Sequence, residues 1–61
     1  MKKLDLKIFD VVELTNGNKA IIKKIDQEEY LVQEFEKNDN TNFRMIMENE
    51  IKKIIYTRNR E

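Results

Sequence analysis

Apolar positions in this chain fall into short runs divided by polar breaks. Two of them, Ile8-Phe9-Asp10-Val11-Val12-Glu13-Leu14 and Lys19-Ala20-Ile21-Ile22-Lys23-Lys24-Ile25, flank the dipeptide Asn16-Gly17. A type I′ turn needs positive φ at both central positions, and Asn-Gly tolerates it, so the pattern predicts a β-hairpin. With Asn16 and Gly17 as a two-residue loop, Leu14 faces Lys19, Val12 faces Ile21, Asp10 faces Lys23 and Ile8 faces Ile25. One face then carries Ile8, Val12, Leu14, Ile21 and Ile25, and the other carries Phe9, Val11, Ala20 and Ile22. A three-residue loop with Gly17 as its left-handed residue slips the register by one and exchanges some of these assignments. Both faces of the hairpin are apolar in either case. A small core takes one of them, leaving Phe9, Val11 and Ile22 as a surplus that makes a candidate protein interface.

After the polar break Asp26-Gln27-Glu28, residues 30–35 read as a third strand. Tyr30 and Val32 share one face while Leu31 and Phe35 share the other, and a bulge near Gln33-Glu34 is predicted to bring Phe35 to the Tyr30 side. Residues 37–42 are polar and form the clearest loop. Residues 43–47 read as a fourth strand, with Phe43, Met45 and Met47 on one face as adaptable core filling. Residues 47–58 fit either a helix with Met47, Ile51, Ile54 and Ile55 in one stripe or a helical turn feeding a last strand. The β-branched and aromatic run Ile54-Ile55-Tyr56-Thr57 favours the turn and strand. Residues 1–7 and 58–61 are expected to be loose ends, with Leu4 and Leu6 able to open a strand or lie across an end of the core.

The expected fold class is therefore all-β. Residues 10–14, the Asn16-Gly17 turn, residues 20–25, residues 29–32 and the closing residues 48–55 together resemble the small bacterial SH3-like barrels, including the KOW-type and short uncharacterised bacterial forms. The resemblance covers residues 8–56. It implies one domain over residues 1–61, a five-stranded SH3-like barrel with a short helical turn before the last strand, and, from the KOW-type relatives, a nucleic-acid role.

Composition narrows the chemistry. Sixty-one residues make one small domain, and the chain has no cysteine and no histidine, which excludes a disulfide framework and the usual thiolate and imidazole zinc site. Serine is also absent. The nearest approach to an acid and base pair is Asp10 with Glu13 or Glu48 with Glu50, both read as solvated charges. Gly17 alone makes no phosphate loop, and Asn38-Asp39-Asn40 offers one carboxylate without the spacing of a calcium loop. No catalytic residue, cofactor or metal is expected. No segment approaches the roughly 20 apolar residues of a membrane span, so a cytoplasmic location is expected.

Twelve basic and twelve acidic residues cancel, and bulk charge does not favour nucleic acid. The expected function is a non-enzymatic protein-interaction module, of the accessory, antitoxin-like or phage-encoded inhibitory kind, whose partner is another protein or a second copy. The alternative is an RNA or single-stranded nucleic-acid face built from Lys19, Lys23, Lys24, Lys52 and Lys53, with Tyr56 for stacking. Glu28, Glu29, Glu34 and Glu36, on the next strand, oppose it.

Overall fold

The computed structural model describes residues 6–57; of the loose ends expected at residues 1–7 and 58–61, residues 1–5 and 58–61 lie outside them, while Leu6 packs against the core and Lys7 N–H bonds to Asp10. Five strands follow one another: β1 (Val11–Leu14), β2 (Lys19–Asp26), β3 (Glu29–Phe35), β4 (Thr41–Met47) and, after a 3-10 turn over Glu48–Glu50, β5 (Ile51–Tyr56). All pairings are antiparallel, in one sheet of order β4-β3-β2-β1-β5. The all-β class, the strand count and the turn before the last strand agree with the sequence. The barrel is not closed, since β4 and β5 are the two edges of the sheet.

The first hairpin takes the three-residue loop. Its register pairs Val11 with Ile21, Val12 with Ala20 and Glu13 with Lys19. Leu14 N–H donates to the Asn18 carbonyl at 2.8 Å, Gly17 N–H donates back to Leu14 at 2.9 Å, and Gly17 has φ 93. Asn16 Oδ1 accepts the Asn18 N–H at 2.9 Å, an Asx bond that favours a tight turn before the left-handed residue over a type I′ pair. The β3–β4 hairpin repeats the device: Glu36 N–H bonds to the Asn40 carbonyl, Asp39 N–H bonds to Glu36, and Asp39 has φ 70. Residues 37–39 are thus the three-residue loop of this hairpin.

Side chains alternate with a period of two, so this register turns β2 over relative to the two-residue loop. Ala20 and Ile22 point inward and Ile21 points outward. The core is Val12 and Leu14 of β1, Ala20 and Ile22 of β2, Tyr30 and Val32 of β3, Ile46 of β4 and Ile51 of β5, with Leu6 and Ile54 packed against it. Every strand contributes, and no second layer is present among the described residues. The sheet therefore curls to cover its own inner face. Ile25 is exposed and Ile21 half-buried, against the expectation that both sit in the core with Ile8.

Two further expectations change. Strand β3 pairs without interruption from Glu29 to Phe35, so no bulge forms at Gln33-Glu34; the irregularity lies in β2, between Ile22 and Lys24. Glu34, and not Phe35, takes the inward position after Val32 and is only 4% exposed. A buried carboxylate needs partners, and Glu34 has them: Arg44 Nε donates to Oε1 at 2.5 Å, while the side-chain amides of Asn16 and Asn18 donate to Oε2 at 2.9 and 2.8 Å. These bonds tie the first hairpin loop to β3 and β4. The methionines of β4 are the second change, since Met45 and Met47 are exposed and do not fill the core.

Replacing Gly17 by Val tests the loop. No atom lies within 4 Å of the position a Cβ would take, so the penalty is conformational and not a clash. A β-branched residue at this φ is expected to cost about 1–3 kcal/mol, and Asn distinctly less. Equal urea midpoints for the Val and Asn variants would show that the left-handed backbone does not hold this loop.

Candidate functional site

The register that buries Ile22 sorts the remaining side chains onto the outer face of the sheet. Ile22 is 0% exposed in the core, so it is not part of an interface, and Ile21 stands beside Phe9 and Val11 in its place. Tyr56 of β5 pairs with Val11 on the other side. Phe9, Val11, Ile21, Lys23 and Tyr56 line one shallow groove, with Phe9 46% and Tyr56 57% exposed. Across β2 the apolar surface resumes on β3 and β4. Leu31 pairs with Met45 and Gln33 with Phe43, which is 61% exposed.

Phe9 owes its position to an unusual backbone. Residues 7–10 form a turn in which Asp10 N–H bonds to the Lys7 carbonyl at 3.1 Å and Asp10 Oδ2 accepts the Lys7 N–H at 3.0 Å. Phe9 N–H then donates to Ile22 and Ile22 N–H donates to Asp10, so two residues of the first segment oppose one residue of β2. In such a bulge the left-handed position is ordinarily glycine. Here Phe9 holds it, at φ 73. A large side chain in this region costs on the order of 1–2 kcal/mol. Asp10, fully buried, pins the turn, and its Oδ1 has no hydrogen-bond partner among the described residues.

The lysines divide. Lys19 lies opposite Glu13 and Phe35, and Lys24 opposite Leu31, both on the outer face. Lys23 Nζ stands 5.5 Å from the centre of the Phe9 ring, a cation–π distance. Lys53 pairs with Glu13 in register, and its Nζ is 3.8 Å from the carboxylate. Lys19, Lys23, Lys24, Lys53 and Tyr56 therefore share one face, as the alternative site requires. Lys52 does not, because β5 is irregular there and Lys52 lines a second groove with Glu28, Glu48, Tyr30 and Met47.

The carboxylates expected to oppose an anion are also rearranged. Glu34 points inward, and Glu36 accepts a hydrogen bond from Asn42 at 2.6 Å. The Arg44 guanidinium and the two asparagine amides hold the Glu34 carboxyl down at about 2, outweighing the upward push of burial. Arg44 is raised in turn by Glu34, and it reaches Glu50 at 3.4 Å. Of the carboxylates expected to be solvated charges, Asp10 is instead fully buried and points inward; Glu13 points outward toward Lys53, and Glu50 accepts the Met47 N–H at 3.3 Å and contacts Arg44. Ile21, Phe43 and Met45 are outer-face residues that sequence reasoning missed, Ile21 through the register and the other two through an assumed core role for their strand face. No family model matches the chain, and no curated protein or solved structure is significantly similar to it.

Proposed function

We propose that this chain is a small, non-enzymatic interaction module that binds another protein through the outer face of its sheet. The observation that carries the reading is the second apolar face: after the core is filled, exposed aromatic and half-buried aliphatic side chains still lie on either side of β2, from Tyr56 at one edge of the sheet to Phe43 at the other. Domains of this size gain little from leaving such a surface in water, and contiguous apolar patches on small proteins mark contact sites. Phe9 adds to it. Its left-handed backbone, held by the Asp10 turn and the pairing to Ile22, detracts from folding while it sets the ring at the surface. The five strands and the turn before the last one support placing the module with the SH3-like domains.

A photo-reactive phenylalanine analogue placed at position 9, 43 or 56 in the source cell, with position 38 in the hairpin loop as control, tests this. A discrete protein adduct is expected from the three face positions and not from the control. Phe9→Gly is expected to fold at least as stably as the natural chain while the adducts from positions 43 and 56 fall severalfold. RNA adducts, or equal labelling at position 38, would count against the reading.

A further inference from the structure

Net charge zero conceals a division of charge between the two sides of the sheet. The outer face carries Lys19, Lys23 and Lys24 in one file along β2, with Lys53 across β1. Among the described residues its carboxylates are Glu13, which Lys53 approaches to 3.8 Å, and Asp26 and Glu29, paired at the far end beside the β2–β3 turn. The middle of the apolar face is therefore crossed by a positive stripe, with Phe9, Val11 and Tyr56 on one side and Leu31, Phe43 and Met45 on the other.

Resting on the interaction reading above, we infer that the occupant of this face is an acidic amphipathic segment of a different protein, and not a second copy of this chain. Charge decides it. Two copies stacked by their outer faces about a two-fold axis bring the β2 lysines of both toward one another, and like charges set together at an interface cost affinity. A partner that presents carboxylates among apolar side chains meets both features at once. The lysine stems lie along the apolar surface while their ammonium groups reach the carboxylates. A nucleic acid satisfies the lysines and the aromatic rings, but it leaves Val11, Ile21, Leu31 and Met45 without apolar partners. Among the described residues the face also has no arginine to make a forked phosphate contact, because Arg44 is on the inner side, bonded to Glu34 and Glu50.

The experiment titrates the isotope-labelled chain, followed by backbone amide spectra, with three probes. The first is a blocked helical peptide with leucine on one face and glutamate elsewhere, the second is the same peptide with lysine for glutamate, and the third is an oligothymidylate of about twelve nucleotides. The acidic peptide is expected to shift the amides of Val11, Ile21, Lys23 and Tyr56. Its affinity is expected to fall about tenfold or more between roughly 50 and 500 mM salt, and by a similar factor in the doubly substituted Lys23→Glu, Lys24→Glu chain. Lys24 is exposed and Lys23, half-buried, reaches out over the Phe9 ring, so the variant is expected to keep its fold, which the same spectra check. Equal binding of the basic peptide, tighter binding of the oligonucleotide, no binding of the acidic peptide, or dimerisation of the free chain through these same residues would overturn the inference. Discrete protein adducts in the cell together with failure of the acidic peptide remove only the partner's charge; absence of adducts removes the interaction reading itself.

Discussion

Ile22→Ala is expected to bring the chain close to unfolding, and Ile21→Ala is not. Ile22 is fully buried, and its side chain belongs to the cluster formed by all five strands. Truncation removes the transfer free energy of the lost carbons and leaves a cavity, about 2–5 kcal/mol together. A domain of this length has a total stability of roughly 3–9 kcal/mol, so the loss is a large share of the whole. Ile21 is half-buried on the outer face, and its truncation should cost below about 1 kcal/mol while weakening the interaction. Urea unfolding of the two variants measures the difference directly. A two-residue loop at Asn16-Gly17 reverses their order, so a more damaging Ile21→Ala would refute the register described here. For the same reason a double substitution meant to blind the interface without unfolding the chain belongs at Val11 and Ile21, not at Val11 and Ile22.

Acid is expected to weaken the fold through Glu34. Its carboxyl is held at about 2 in the folded chain against 4.5 when free, so the unfolded chain takes up the proton first as pH falls. The stabilisation is complete above about pH 5 and is lost progressively from there down toward pH 2. The full difference corresponds to about 3 kcal/mol, and solvent reaches the Arg44 side of the pair, whose side chain is 40% exposed, so about 1–2 kcal/mol is the expected effect at pH 3. Glu34→Gln removes this term. Its stability at pH 7 should be lower than that of the natural chain, and the gap should close by that amount at pH 3. Parallel pH profiles for the two would mean that the Arg44–Glu34 pair does not hold the loop to the sheet. Arg44→Met should be the more damaging single change at pH 7, because it leaves a buried carboxylate with two amide donors and no cation.

Much of the fold is legible from local chemistry. Strand positions follow from runs of β-branched and aromatic residues between polar breaks, and the turn before β5 follows from Glu48-Asn49-Glu50 ahead of Ile51. The same pattern shows that the first hairpin is apolar on both faces, which is the physical basis of the proposed interaction. Which face is buried is not a local property. It depends on one residue of loop length, toward which the Asx bond within residues 16–18 contributes locally without fixing the face by itself. The choice is made across the sheet, where the amides of Asn16 and Asn18 reach Glu34, a residue sixteen positions beyond Asn18 in the chain. Periodicity also misjudged Phe35 and the β4 methionines, because it treats an inward glutamate as an interruption. Glu34 is inward because Arg44 neutralises it on the neighbouring strand. Likewise, a residue in the left-handed region is announced by Gly17 but not by Phe9, whose conformation is imposed by Asp10 and by pairing to Ile22. Residue type and spacing determined the five strands and the surplus of apolar surface. Long-range hydrogen bonds decided which side of the hairpin became core, and so where the lysines and the exposed aromatic rings meet.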